Sequence, residues 1–206
     1  GPVTRPPVAH ASMNAATGLD VVSLYRQQVA SRGFVSDAAQ WRAVERLQRL
    51  YEDWRAYKAR RSTALRRLLV KPALPRGVYL WGGVGRGKTF LMDLFHSQLQ
   101  VPARREHFHR FMKDVHERLA ELRHVEDPLS KVAGTIAERA RVLCLDELFV
   151  SDIADAMILG GLFAALDARG VTLVFTSNAP PAELYRDGLQ RSRFLPAIAL
   201  LERCTE

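Results

Sequence analysis

Eight consecutive residues, Gly82-Gly83-Val84-Gly85-Arg86-Gly87-Lys88-Thr89, combine four glycines with an ammonium and a hydroxyl. Glycine reaches backbone angles closed to other residues and lets the main chain approach a ligand with no Cβ in the way. Successive N–H groups of such a turn point inward, and a helix that follows adds positive potential at its first turn. The chemistry this suits is phosphate binding. Lys88 supplies a point charge for β- and γ-phosphates, and Thr89 supplies a hydroxyl for Mg²⁺. The stretch fits G-x-x-x-x-G-K-[ST] in full, with an apolar run "GVYLW" before it and helical spacing after it from Phe90. A merely glycine-rich turn would not explain Lys-Thr at that offset.

Phosphate binding alone does not imply hydrolysis. The run "VLCLDE" ends in two adjacent carboxylates, Asp146 and Glu147. Ligands of open parallel sheets collect at the carboxyl ends of the strands. Asp146 is therefore expected beside the glycine turn, in the Mg²⁺ shell, with Glu147 orienting the attacking water. Taken alone, two acids after a strand read equally well as solvated loop charges. Asn178 ends the run "VTLVFTSN" and is a candidate for the γ-phosphate or the water; its plainer reading is a turn residue before Pro180-Pro181. Arg191 and Arg193 in "GLQRSRFLP" are candidates for an arginine supplied to another subunit's phosphate. In a chain with 30 Lys and Arg, the residues alone favour a plain surface arginine.

The elements that must position these groups alternate. Residues 1–18 read as a flexible lead whose Gly-Pro start resembles a tag scar. Asp20 is expected to cap a helix carrying Val21, Leu24, Tyr25 and Val29, ending near Gly33. A longer helix, capped by Ser36 or Asp37, puts Trp41, Val44, Leu47, Leu50, Tyr51, Trp54 and Tyr57 on one face and runs past Arg60 towards Pro72. Beyond Pro75 the reading is strand, glycine turn, helix. "REHFHRF" follows as a strand leading into a helix through Val115, Leu119 and Leu122. Next come the buried strand "ARVLCLDELFV", a helix capped by Asp152 and stopped by Gly170, the buried strand "VTLVFTSN", and a loop with one or two helices. The class is α/β, a parallel sheet with helices on both faces. The division is 1–18, an N-terminal helical segment 19–72, and a P-loop core 73–206.

The totals agree with one globular domain and a modest extension: 206 residues, 48% hydrophobic, 25% charged. The net charge of +8 permits nucleic acid, anionic lipid or an acidic protein as partner and selects none. The two cysteines, Cys144 and Cys204, build no disulfide framework, so a reducing compartment is expected. No apolar run approaches the roughly 18 residues of a membrane span.

With these motifs in order, the chain resembles AAA+ ATPases, and closely the ZapE family of bacteria with its mitochondrial "ATPase family gene one" relatives. The matching stretches are "GVYLWGGVGRGKTFLMDLF", "HFHRFM", "VLCLDELFVSDIADAMIL", "TLVFTSN" and "LYRDGLQRSRFLPAI", from about Gly77 to Ile198. The resemblance implies a Walker A loop from Gly82 to Thr89, a Walker B pair at Asp146 and Glu147, and sensor 1 at Asn178. It prefers Arg191 over Arg193 as arginine finger. It implies ATP and Mg²⁺ as cofactors, a homo-oligomeric ring, and work on a protein partner in cell division, with FtsZ the bacterial candidate. It also implies a place in the cytoplasm, peripherally at the inner face of the membrane or at the division site. Nucleic acid is not expected as a partner. An AAA+ sheet has order 5-1-4-3-2, and its fifth strand is expected after "LLERCTE". The chain thus reads as an AAA+ fold truncated before that strand and the helical lid, with strand one left at a sheet edge.

Other clusters have plainer readings. His107 and His109 are expected to alternate on a strand, both pointing one way, and with His116 they fall short of metal-ligand spacing. Lys58, Arg60, Arg61, Arg66, Arg67 and Lys71 form a basic stretch that reads first as a solvated face. Two rival functions stay open: an AAA+ nucleic-acid loader, and a nucleotide-gated binding module with little turnover.

Overall fold

The computed structural model describes residues 20–32, 38–69, 74–82 and 86–205. Helix α1 spans Val21–Arg32, and the Asp20 carboxylate accepts the Ser23 N–H at 2.8 Å, the expected cap. Helix α2 spans Ala38–Arg60 and buries Val44, Leu47, Leu50, Tyr51 and Trp54. The expected caps Ser36 and Asp37 lie outside the described residues. The helix does not run on past Arg60. The chain turns at Arg61 and restarts as α3, Ala64–Leu69, because the Thr63 hydroxyl accepts the Arg66 N–H at 3.1 Å and caps a new helix.

Four parallel strands follow: β1 Val78–Trp81, β2 Ala103–His107, β3 Val142–Asp146 and β4 Thr172–Ser177. Their order is β1-β4-β3-β2, with registers such as Val78 opposite Val174 and His107 opposite Asp146. Helices α4 Arg86–Gln98, α5 Phe108–Glu121, α6 Pro128–Arg139, α7 Ile153–Ala168 and α8 Leu195–Cys204 complete the fold. Side-chain alternation along the strands splits the core in two. Val78, Leu80, Val142, Cys144 and Val174 pack with α1, α2 and α4. Tyr79, Leu143, Leu145, Leu173 and Phe175 pack with the helices from α5 onward. Helices therefore cover both faces, as the near-continuous apolar runs of β3 and β4 require.

One expectation is overturned and one element was unforeseen. His107 and His109 do not share a strand face. β2 ends at His107, whose Nδ1 accepts the His109 N–H at 3.2 Å, so "FHRF" opens α5 with Phe108, Phe111, Met112 and Val115 on its buried side. Helix α6 had no counterpart in the sequence reading. Its Val132, Ala133 and Ile136 keep helical spacing, but Pro128, Gly134 and Thr135 dilute its propensity.

β1 lies at one edge of this sheet, and Thr205 pairs with Gly77 in parallel beside it, on the flank where the 5-1-4-3-2 order puts a fifth strand. Arg46 of α2 donates to the Gly77 carbonyl at 3.2 Å, and Arg76 donates to the Glu202 carbonyl at 2.9 Å, so side chains occupy the edge that β1 presents. Among the described residues no helix is long and apolar enough to cross a membrane.

Candidate nucleotide site

The carboxyl ends of β1, β3 and β4 meet at one end of the sheet. Gly82 leaves β1 with φ +149°, a conformation open to glycine and strained for other residues. Gly83, Val84 and Gly85 lie outside the described residues, as does the side chain of Arg86, where α4 begins. Gly87 closes on α2: a Cβ there would stand 3.3 Å from the Gln40 amide nitrogen. Thr89 and Phe90 are half-buried in the first turn of α4, and the Phe90 ring stands 6.4 Å from that of Tyr25.

Lys88 faces across to β4. Its ammonium donates to the Gly82 carbonyl and, at 3.2 Å, to Oδ1 of Asn178. Burial lowers the pKa of Lys88, while the charges of Asp146 and Glu147 act to raise it. A triphosphate brought here would meet an ammonium that two neutral oxygens hold in position.

Asp146 ends β3 and is buried. Its Oδ1 accepts from the Thr176 hydroxyl and its Oδ2 from Nη2 of Arg105 at 2.8 Å. Arg105, on β2, also pairs with Asp93 of α4. Glu147 follows with φ +55°, in the left-handed region that few non-glycine residues enter. Its N–H donates to the same Thr176 hydroxyl at 2.8 Å. Its carboxylate is largely exposed and stands 2.8 Å from Nε2 of His107. Because Nδ1 of His107 accepts a backbone N–H, the ring proton of the neutral imidazole sits on Nε2 and is donated to Glu147.

The structure thus brings Lys88, Asp146, Glu147 and Asn178 to one place. It does not bring Arg191 there. Arg191 opens a short 3₁₀ turn, Arg191–Arg193, and its Nη2 donates to the carbonyls of Ala182 at 2.6 Å and Leu184 at 3.5 Å. Sequence reasoning missed Thr176, Arg105 and the use of His107. The only available signal was position: Thr176 lies two residues before Asn178, and His107 ends the strand beside Asp146 in the "HFHRFM" stretch. His116, weighed with the other histidines, pairs instead with Asp155 at 2.5 Å.

A cavity of about 620 Å³ opens beside Glu147, between the start of α5, the loop after β3, the start of α7 and the segment after β4.

The AFG1-like ATPase family matches this chain over residues 20–206. The chain belongs to that family. The cell division protein ZapE of Escherichia coli (strain K12) is 61% identical over 131 residues, covering 63% of this AFG1-like chain and 35% of the relative. Lactation elevated protein 1 homolog B of Danio rerio is 47% identical over 144 residues, covering 64% and 29% respectively. The AFG1-like chain spans about a third of the length of these relatives. Among solved structures, DnaI superposes with a TM-score of 0.57 at 18% identity over 83% of this chain and 82% of that one, a likeness of fold.

Proposed function

We propose that this AFG1-like chain is the nucleotide-hydrolysing part of an AAA+ ATPase that cleaves the β–γ bond of ATP with Mg²⁺. One observation carries the reading. Lys88 with Asn178, and Asp146 with Glu147, converge at the same strand ends, and the single Thr176 hydroxyl joins both acids to β4. The Gly82–Thr89 turn and Lys88 bind the phosphates, and Asn178 orients the γ-phosphate or the water. Glu147, oriented by His107, accepts the water's proton. Thr89 and Asp146 are the residues that would hold Mg²⁺, which supplies charge neutralisation on the phosphates when bound. Both Asp146 oxygens already hold donors, which suits a carboxylate acting on the ion's waters, since Mg²⁺ keeps several of them.

Residues 73–206 form the ATPase core in this reading and 19–72 a helical segment beside it. The name of the Escherichia coli relative supports a protein partner in the division apparatus, and FtsZ is the candidate. Arg191 would act between subunits of a homo-oligomeric ring, completing a neighbour's site. Its lack of contact with its own chain's Lys88 cluster is compatible with that role. A cytoplasmic place, peripheral at the inner face of the membrane or at the division site, follows from the same partner.

The test uses two substitutions. Lys88→Ala is expected to abolish magnesium-sensitive ATP binding in a folded chain. Glu147→Gln is expected to keep binding and lower turnover by about 10²-fold or more. Undiminished binding by the first, or an unchanged rate in the second, sinks the reading. Mixing Arg191→Ala with Glu147→Gln subunits is expected to restore part of the activity; no restoration removes the trans role. Salt-resistant capture of single-stranded DNA would favour the loader instead.

A further inference from the structure

Residues 54–76 hold eight Lys and Arg and no Asp or Glu, which equals the net charge of +8 of the whole chain. At their centre, α3 buries no residue. Its Leu65, Leu68 and Leu69 are 64%, 76% and 74% exposed. Their spacing makes one apolar stripe, with Arg66 and Arg67 beside it. Lys58 and Arg66 donate hydrogen bonds to main-chain carbonyls, those of Gln100 and Ala59. A single exposed leucine needs no explanation, but a contiguous stripe flanked by cations is a surface built for contact.

The cavity beside Glu147 has the opposite character. Glu147, Asp152, Asp155 and Glu183 line it and, among the described residues, no lysine or arginine does. Phe149 stands at its rim, 72% exposed, and the apolar stripe continues along α7 at four-residue steps through Ile153 and Met157. In a chain with 30 Lys and Arg against 22 Asp and Glu, a concave lining of carboxylates and apolar side chains demands a cationic, partly apolar guest.

The two surfaces complement each other in charge, apolarity and shape, yet one chain cannot bring them together. Lys58 reaches Gln100, just past the C-terminal end of α4, whereas the cavity borders Asn178, which meets Lys88 in the first turn of α4. The 13 residues of α4 separate them by about 20 Å. We infer that the α2–α3 corner of one copy docks into the acidic cavity of another copy of this chain, head to tail. Such a contact is heterologous, so each copy offers one half and receives the other. It sets the neighbour's cations beside Glu147, and only this consequence for hydrolysis rests on the function proposed above. Lipid or nucleic acid at the corner would answer the basic charge and leave the acidic cavity without a guest.

The experiment is sedimentation of the full chain, without nucleotide, over a concentration series at low and high salt. Assembly is expected to grow with concentration and to weaken with salt. Arg66→Glu with Arg67→Glu is expected to raise the midpoint concentration by about tenfold or more, and Asp155→Lys with Glu183→Lys to do the same. Asp152 is left in place because it caps α7. Mixing the two reversed chains is expected to restore assembly, since each then offers the charge that the other lacks. Leu65→Ser, Leu68→Ser and Leu69→Ser together are expected to weaken assembly with the melting temperature unchanged, because all three are exposed. A wild-type chain that stays monomeric overturns the inference. So do reversed chains that assemble like wild type, or a mixture that stays apart. Capture of anionic vesicles or DNA through Arg66 and Arg67 by a chain that does not self-associate also overturns it. Because nucleotide is absent throughout, the sedimentation result stands whether or not the chain hydrolyses ATP.

Discussion

At the scale of residues, two side chains outside the familiar motifs organise the site. Thr176 uses one hydroxyl twice, accepting from the Glu147 N–H and donating to the buried Asp146 carboxylate. Thr176→Val keeps the shape and removes both bonds. It is expected to cost about 1–3 kcal/mol of stability, read from denaturant midpoints, because a buried acceptor is left short of a donor. Threonine-like stability in the valine variant would show that the two bonds contribute nothing to the fold. His107 holds the Glu147 carboxylate by a donated proton. His107→Ala is expected to leave ATP affinity unchanged and lower kcat by about tenfold, with partial recovery in His107→Gln, which keeps a donor. A parallel loss of affinity would mark His107 as a scaffold residue only.

Among the elements, caps decide where helices start, and one of them titrates. The Asp20 carboxylate accepts the Ser23 N–H, and that bond, first among its causes, lowers the Asp20 pKa below 3.8. A group whose folded pKa is depressed contributes stability above its unfolded value and loses it as pH falls through the folded one. Asp20→Ala is therefore expected to cost about 1 kcal/mol at neutral pH. In melts taken below pH 3.8 the difference between the two chains should shrink; a constant difference down to about pH 2 would refute the cap. Asp20 and Asp152 were legible as caps because each stands directly before an apolar helical pattern. The α2–α3 break was not, since Thr63 sits inside a run whose periodicity continues on both sides. The His107 turn was hidden for a related reason. Short alternating runs suit strand and helix alike until tertiary packing decides, and here Phe108 and Phe111 are both buried on a helix.

Over the whole molecule, the sheet order and two-sided covering were legible because β3 and β4 are unbroken apolar runs ending in Asp146 and Asn178, a pattern few other folds produce. What joins Asp146 to Arg105 and Thr176 was not legible, because neighbouring strands are far apart in sequence and register is set only on folding. Cys144 marks the centre of this assembly. It is fully buried on β3, and burial pushes its thiol up to about 12. In a Cys204→Ser chain, thiol reagents at neutral pH are expected to label Cys144 only at the rate of global unfolding, with labelling accelerating through the denaturant transition. Rapid labelling of the native chain would mean that the sheet opens locally.

The left-handed backbone at Glu147 carries an implication of its own. A residue with a Cβ pays roughly 1 kcal/mol to stand there, and glycine would not. Relaxing that position would produce a hardier protein with no carboxylate facing His107. The same few atoms thus set endurance against reactivity, and the chain carries the choice that favours the acid.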